Sequence, residues 1–242
     1  MGGALLRRWL AEGYEGVAVI DPALSVLPAG VTLGVPVTGS PDILVIAVKP
    51  QVWRDALAPI VARLGPLTVI VSIMAGVRLG DIAAIVGERA LVRAMPNTPA
   101  AIGMGITGLY SDAGEMVRGV ADALFAPVGQ AAWLDNEADF DALTALSGSG
   151  PAYVYALIEA MAAAGAAAGL APALAERLAR ATVTGAAALA VADNAPAREL
   201  RERVTSPGGA TAAALDVLRP ELERLLVSAV AAATARSKAL GG

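Results

Sequence analysis

Short apolar runs alternate with longer amphipathic stretches through the first half of the chain. Val17-Ala18-Val19-Ile20 stops at Asp21-Pro22, and the run from Ile43 to Val48 stops at Lys49-Pro50. Leu67 to Ile73 leads into Ala75-Gly76, and Ala90 to Met95 into Pro96. Continuous runs rich in Val and Ile suit strands buried on both faces of a parallel sheet, joined by right-handed crossovers. In open sheets of this kind ligands bind at the carboxyl ends of the strands, where each run breaks into loop residues. The opening segment has helical spacing instead, with Ala4, Leu5, Trp9 and Leu10 able to face a sheet.

After Asn136 the period changes. Residues 153–169, 173–191 and 220–240 read as long, Ala-rich helices, and Tyr153, Leu157, Met161 and Ala164 recur on one helix face. Helices with so few large side chains cannot fill a thick core alone, but small residues let them approach a second copy closely. The pattern therefore predicts an α/β chain. A Rossmann-like, doubly wound, mostly parallel sheet spans residues 1–135, and an all-α dimerisation and substrate domain spans 136–242. A monomeric bundle packed on the sheet is the alternative.

The order of the first elements sharpens this. A dinucleotide-binding fold opens with a strand, a G-x-G-x-x-G turn and a helix, followed by a second strand ending in an acid about 20 residues on. Gly2 takes the place of the third glycine and Asp21 that of the acid, so the first strand is expected ahead of Met1. A different fold that simply starts with a helix is the alternative. Asp21 would bind the ribose hydroxyls of NAD and repel the 2′-phosphate of NADP. No Lys or Arg occurs between Arg8 and Lys49 to clamp that phosphate, so NADH is expected to be tolerated or preferred.

Composition narrows the chemistry. Of 242 residues 56% are hydrophobic and 17% charged, against roughly 25% charged in an ordinary soluble domain, so core material is ample. There is no Cys and no His, which removes thiolate nucleophiles, Ser-His-Asp triads and nearly all transition-metal sites. No metal is expected, and catalysis falls to carboxylates, hydroxyls, Lys or Arg, backbone amides or an organic cofactor. The net charge of −4 argues against nucleic acid. Mean hydropathy is +0.62, yet the longest uncharged apolar stretch, 160–175, is mostly Ala and Gly and contains Pro172, unlike a spanning helix. A cytoplasmic protein without a membrane segment is expected.

Three sets of motifs carry a family resemblance. Ile46-Ala47-Val48-Lys49-Pro50-Gln51 is followed by Ser72-Ile73-Met74-Ala75-Gly76-Val77, and then by Arg93-Ala94-Met95-Pro96-Asn97-Thr98-Pro99-Ala100. Ala145-Leu146-Ser147-Gly148-Ser149-Gly150-Pro151-Ala152-Tyr153 and Ser206-Pro207-Gly208-Gly209-Ala210-Thr211 complete the series. In this order and spacing the chain resembles pyrroline-5-carboxylate reductases over essentially its whole length. The resemblance implies that NADPH or NADH delivers hydride to the imine carbon of 1-pyrroline-5-carboxylate, giving L-proline, the last step of proline synthesis. It also implies a homodimer or a higher oligomer of dimers. A cyclic imine is readily protonated, so a chain without His or Cys can run this chemistry through positioning alone.

Each motif then receives a role. Ser206, Gly208, Gly209, Ala210 and Thr211 precede a helical run, 212–218, and consecutive amides at a helix start suit an anion, here the substrate carboxylate. Thr211, the candidate catalytic residue, could hydrogen-bond near the ring nitrogen. A tight turn with a helix cap is the alternative. Ser147, with Thr144 beside it, is expected to join the domains and line the substrate cleft, or to be a plain loop and cap. By resemblance Ala47, Val48, Lys49, Pro50 and Ala75 contact the nicotinamide half of the cofactor, with no proton transfer by Lys49. Asn97 either orients the carboxamide or caps a turn. Gly2 and Asp21 complete the cofactor set. A hydroxyacid-type reductase is the alternative enzyme, but the Lys it needs is absent from 153–191; an inactive, truncated dimeric scaffold is the non-enzymatic one.

Overall fold

The computed structural model describes residues 1–24, 26–34 and 39–240. The chain forms two compact units, Met1–Ser149 together with the return from Ala233, and Gly150–Ala232.

The first unit opens with helix α1 (Gly2–Ala11), followed by strands β1 (Val17–Val19) and β2 (Val31–Leu33), which pair in parallel. Strand β3 (Ile43–Ile46), helix α2 (Trp53–Leu57), strand β4 (Val69–Ser72), helix α3 (Leu79–Val86) and strand β5 (Leu91–Pro96) follow. Strand β6 (Gly105–Tyr110), helix α4 (Glu115–Phe125) and strand β7 (Gly129–Trp133) complete a five-stranded sheet of order β3-β4-β5-β6-β7. It is parallel except for the β5–β6 pair, where Met95 lies opposite Gly108.

The continuous apolar runs are explained by two separate cores. Leu5 and Trp9 of α1 and Val117, Leu124 and Phe125 of α4 bury themselves with Val71, Val92, Ala94 and Leu109. Trp53 and Leu57 of α2 and Leu79, Ile82 and Val86 of α3 pack with Ile46, Ile70 and Leu91. Successive residues of one strand, Ile70 and Val71, thus enter opposite cores, as a sheet covered on both faces requires. The Trp9 indole N–H donates to Leu124 O at 2.7 Å, which joins α1 to the end of α4.

Two features depart from the apolar pattern. β6 and β7 had no clear strand signal because glycines and alanines stand where the backbones crowd: a Cβ on Gly105 would lie 2.8 Å from Val128 O and from the Ala100 backbone. Gly129 pairs with Gly105 and has φ +135°. The sheet is also in two pieces. Among the described residues β1 pairs with β2 alone, and β3 forms an edge of the five-stranded sheet.

The first unit extends past the change of character after 135 as far as Ser149, and a buried cation lies against the added segment. Arg93 on β5 is almost wholly buried, with its guanidinium 4.4 Å from the centroid of the Phe140 ring. Its Nη1 donates to Glu137 Oε1 at 3.0 Å, and the same oxygen accepts the Leu79 N–H at the start of α3 at 2.8 Å. Burial lowers the Arg93 pKa, and the Glu137 carboxylate opposes that shift. Helix α5 (Phe140–Leu143) follows, and Asp141 accepts the Ser237 hydroxyl at 2.6 Å. The segment after 135 and the end of the chain are thereby held to the sheet domain.

The second unit contains α6 (Gly150–Ala167), α7 (Pro172–Ala192), α8 (Ala197–Arg203) and the first part of α9 (Ala210–Leu240). α6 and α7 meet through small residues: a Cβ on Gly165 would lie 3.2 Å from that of Ala175, and Ala175 and Ala179 are buried. α9 runs unbroken through Pro220, where the pattern predicted two segments. Proline removes one hydrogen bond and crowds the carbonyl four residues back, at a cost of about 3 kcal/mol; the rest of this 31-residue helix carries it.

Replacing Glu137 by Gln keeps an acceptor for Leu79 but takes from buried Arg93 the carboxylate it is paired with. Urea unfolding should show a loss of about 3 kcal/mol. The control, Glu221→Gln, removes an exposed pair with Arg224 and should cost under about 1 kcal/mol. Equal losses would deny the buried pair any special role.

Candidate active site

The expected cofactor residues of the first unit all follow carboxyl ends of parallel strands or the start of α1. Asp21 follows β1 and is exposed, with its Oδ1 accepting the Ala23 N–H at 2.9 Å in a tight local turn. Ala47, Val48, Lys49 and Pro50 follow β3, and Ala75 follows β4 beside Gly76, whose φ of +78° turns the chain. Lys49 is exposed and forms no ion pair among the described residues. At Gly2, the first residue of α1, a Cβ would lie 2.9 Å from the Ala47 Cβ. The helix start and the β3 loop therefore touch at a distance that only glycine permits.

Asn97 follows β5 at the N-cap position of a 3₁₀ turn, Thr98–Ile102, yet its side chain makes no cap bond. Its amide oxygen instead accepts the Ile106 N–H at 3.0 Å, at the start of β6. Its amide nitrogen donates to both Ser147 O and Ser147 Oγ at 3.4 Å. Thr144 and Ser147 share a π-helical turn, Thr144–Gly148, in which the Ser149 N–H reaches Thr144 O at 2.9 Å. Both are half-buried. The structure thus joins Asn97 to the Thr144–Ser147 pair, a link that spacing could not show.

In the second unit the expected substrate residues lie on one turn. α8 leads into it, held by Arg203, which pairs with Asp193 and Glu199 at 2.6 Å each. The Ala195 N–H and the Arg203 guanidinium hold the Asp193 carboxyl below its ordinary range. Ser206 O accepts the Gly209 N–H at 3.0 Å, and Gly208 between them has φ +70°, a left-handed conformation that disfavours any other residue. α9 starts at the next residue, Ala210. The amides of its first turn, including that of Thr211, have no acceptor inside the helix. Ser206 and Thr211 are exposed. The arrangement offers a carboxylate several N–H donors and the positive end of a helix dipole.

The sequence reading missed Arg93 and Glu137, which hold the segment carrying Thr144 and Ser147. The available signal was an Arg inside an otherwise apolar strand run, since a charge there must be partnered. Nothing in the spacing pointed to Glu137 as that partner.

Residues 137–240 match the family described as pyrroline-5-carboxylate reductase dimerisation. A pyrroline-5-carboxylate reductase of Pseudomonas aeruginosa is 42% identical over 203 residues, which is 82% of this chain and 74% of that protein. One from Arabidopsis thaliana is 40% identical over 82% of this chain and 73% of its own length. Among solved structures, a pyrroline-5-carboxylate reductase of Coxiella burnetii superposes on 100% of this chain and 95% of its own, with a TM-score of 0.90 and 31% identity. A Plasmodium falciparum pyrroline carboxylate reductase with NADP bound covers the same shares, with a TM-score of 0.83 and 30% identity. By sequence and by fold, the chain belongs to the pyrroline-5-carboxylate reductase family.

Proposed function

We propose that this chain reduces 1-pyrroline-5-carboxylate to L-proline with NAD(P)H, as the final step of proline synthesis in the cytoplasm. The observation that carries this reading is that the likeness to pyrroline-5-carboxylate reductases runs through both units and not the dinucleotide-binding half alone.

The first unit fits a nicotinamide dinucleotide. The cradle at Gly2 is one that a Cβ would fill, and Asp21, Ala47, Val48, Lys49, Pro50 and Ala75 all lie at carboxyl ends of parallel strands. Gly2 and the α1 amides would take the pyrophosphate, Asp21 the ribose hydroxyls, and the β3 and β4 loops the nicotinamide half. When bound, the cofactor supplies the hydride. The chain's own residues bind and orient. The free amides at the start of α9, those of Ala210 and Thr211 among them, hold the substrate carboxylate, and the Thr211 hydroxyl hydrogen-bonds near the ring nitrogen, which fixes the imine for attack on its carbon. The protonated imine is itself the electrophile, so no His is needed.

The functional unit is a homodimer. α6 buries none of its side chains in the single chain, and Val154, Tyr155 and Leu157 of α6, with Val217, Leu225 and Val227 of α9, stay exposed. Among the described residues, no helix is long and apolar enough to cross a membrane. A second copy therefore supplies the cover for these faces.

Imine-dependent oxidation of NADH and NADPH by the purified dimer tests the activity. Turnover above a no-imine control is expected, with NADH at least as efficient as NADPH because Asp21 meets the 2′ position. A folded dimer that oxidises neither cofactor would overturn the reading, and a strong NADPH preference would remove Asp21 from the ribose. Thr211→Ala should lower kcat/KM for the imine by the equivalent of about 1–3 kcal/mol, as for one lost hydrogen bond to a charged ligand, with the KM for cofactor unchanged. Gly2→Val should do the reverse. It forces α1 away from Ala47 at a cost of about 1–3 kcal/mol in stability and raises the KM for NAD(P)H more than that for the imine.

A further inference from the structure

We propose that Asn97 is a positioning residue that acts on the reaction through Ser147 and holds the Thr144–Gly148 turn in register with the end of β5. The inference deepens the proposed function and rests on it in placing the Thr144–Ser147 turn at the substrate.

Three observations carry it. The first is that the side chain, in a position where a cap is expected, makes no cap bond and is nearly buried. A buried primary amide left unpartnered is costly, so its hydrogen bonds define its role. The second is that both ends of the amide are committed to other elements. Its oxygen takes the N–H of Ile106 at 3.0 Å, and its nitrogen reaches the carbonyl and hydroxyl of Ser147 at 3.4 Å. One planar group thereby ties the ends of two adjacent strands, β5 and β6, to a single turn.

The third is the nature of that turn. Its hydrogen bond from Ser149 N–H to Thr144 O spans five residues, and such π-helical turns are mostly single-turn bulges, frequent at functional sites. A π turn has poorer intrinsic stability than the α-helix it interrupts, so an external tether is needed to keep one conformation. Ala145 is buried within it and Gly148 packs near Thr144, and the two hydrogen bonds from Asn97 to Ser147 tether the turn to the end of β5. Without them Thr144 and Ser147 would keep their chemistry and lose their placement, which affects the substrate more than the cofactor.

The test compares Asn97→Ala, Ser147→Ala and the double variant, each checked for folding by circular dichroism. Asn97→Ala should lower kcat/KM for the imine by about tenfold, within the range of one lost buried hydrogen bond, while the NAD(P)H dissociation constant read by fluorescence stays within about twofold. The double variant should fall well short of the product of the two single effects, since both act on one contact. Amide hydrogen exchange at Ser149 should become faster in Asn97→Ala. A weakened NAD(P)H affinity with an unchanged imine KM would overturn the proposal and make Asn97 a direct cofactor contact. Fully multiplicative effects, or unchanged exchange at Ser149, would overturn it too. The exchange measurement needs no imine, so it still judges Asn97 if the wild-type chain proves inactive, which would instead defeat the proposed function. If Asn97→Ala does not fold, Asn97→Asp keeps the acceptor for the Ile106 N–H, removes the donor to Ser147, and is read by the same kinetic and exchange measurements.

Discussion

A guanidinium placed among the core residues of a β-sheet must be paid for by its neighbours, and Arg93 organises the first unit through those neighbours. Its charge needs Glu137, and its flat face takes the Phe140 ring. Glu137 can serve it only if residues 137–140 lie against the sheet, and the same carboxylate oxygen then satisfies the first amide of α3. Asp141 comes with them and receives Ser237 from the end of α9. One desolvated cation thus holds residues 137–140 against the sheet, beside the Asp141–Ser237 bond. The pair is better understood as specifying an arrangement than as adding stability, because an apolar replacement of the whole cluster would cost little.

The candidate chemistry is built from backbone more than from side chains. Glycine at position 2 lets α1 close on Ala47, and glycine at 208 turns the chain so that α9 starts with its amides free. A chain with no His and no Cys has few reactive groups to aim, so its means of binding are oriented N–H groups, strand ends and a hydroxyl. That suits a reaction in which the cofactor provides the hydride and the protonated substrate provides the electrophile. The composition and the proposed activity are consistent at this level: little is asked of side-chain acid–base chemistry, and much of placement.

The second unit shows the same economy in another form. Ala and Gly along α6 and α7 permit a close helix pair, at the expense of side-chain volume that could close a core within one chain. The large apolar residues it does have, on α6 and α9, remain on the outside of the single chain. Small residues at the helix contact and large ones outside fit the homodimer proposed above.

Much of this was legible in the residues. Strands β1, β3, β4 and β5, helix α1 with Leu5 and Trp9 inward, and the helical second half all follow from local period, because burial on two faces or one leaves a direct trace in which positions are apolar. The turn at Ser206–Thr211 was readable too, since Ser, Pro and Gly before a helical run have local causes. What the residues could not show were the pairings. β6 and β7 hid behind glycines that serve backbone contact, and the alternatives for Asn97, a cap or a cofactor contact, did not include Ser147. Arg93 and Glu137 meet across 44 positions, and Asp141 and Ser237 across 96. Local pattern records what each residue tolerates in its own neighbourhood; a hydrogen bond or ion pair between distant segments depends on where the backbone brings them, and only the folded chain decides that.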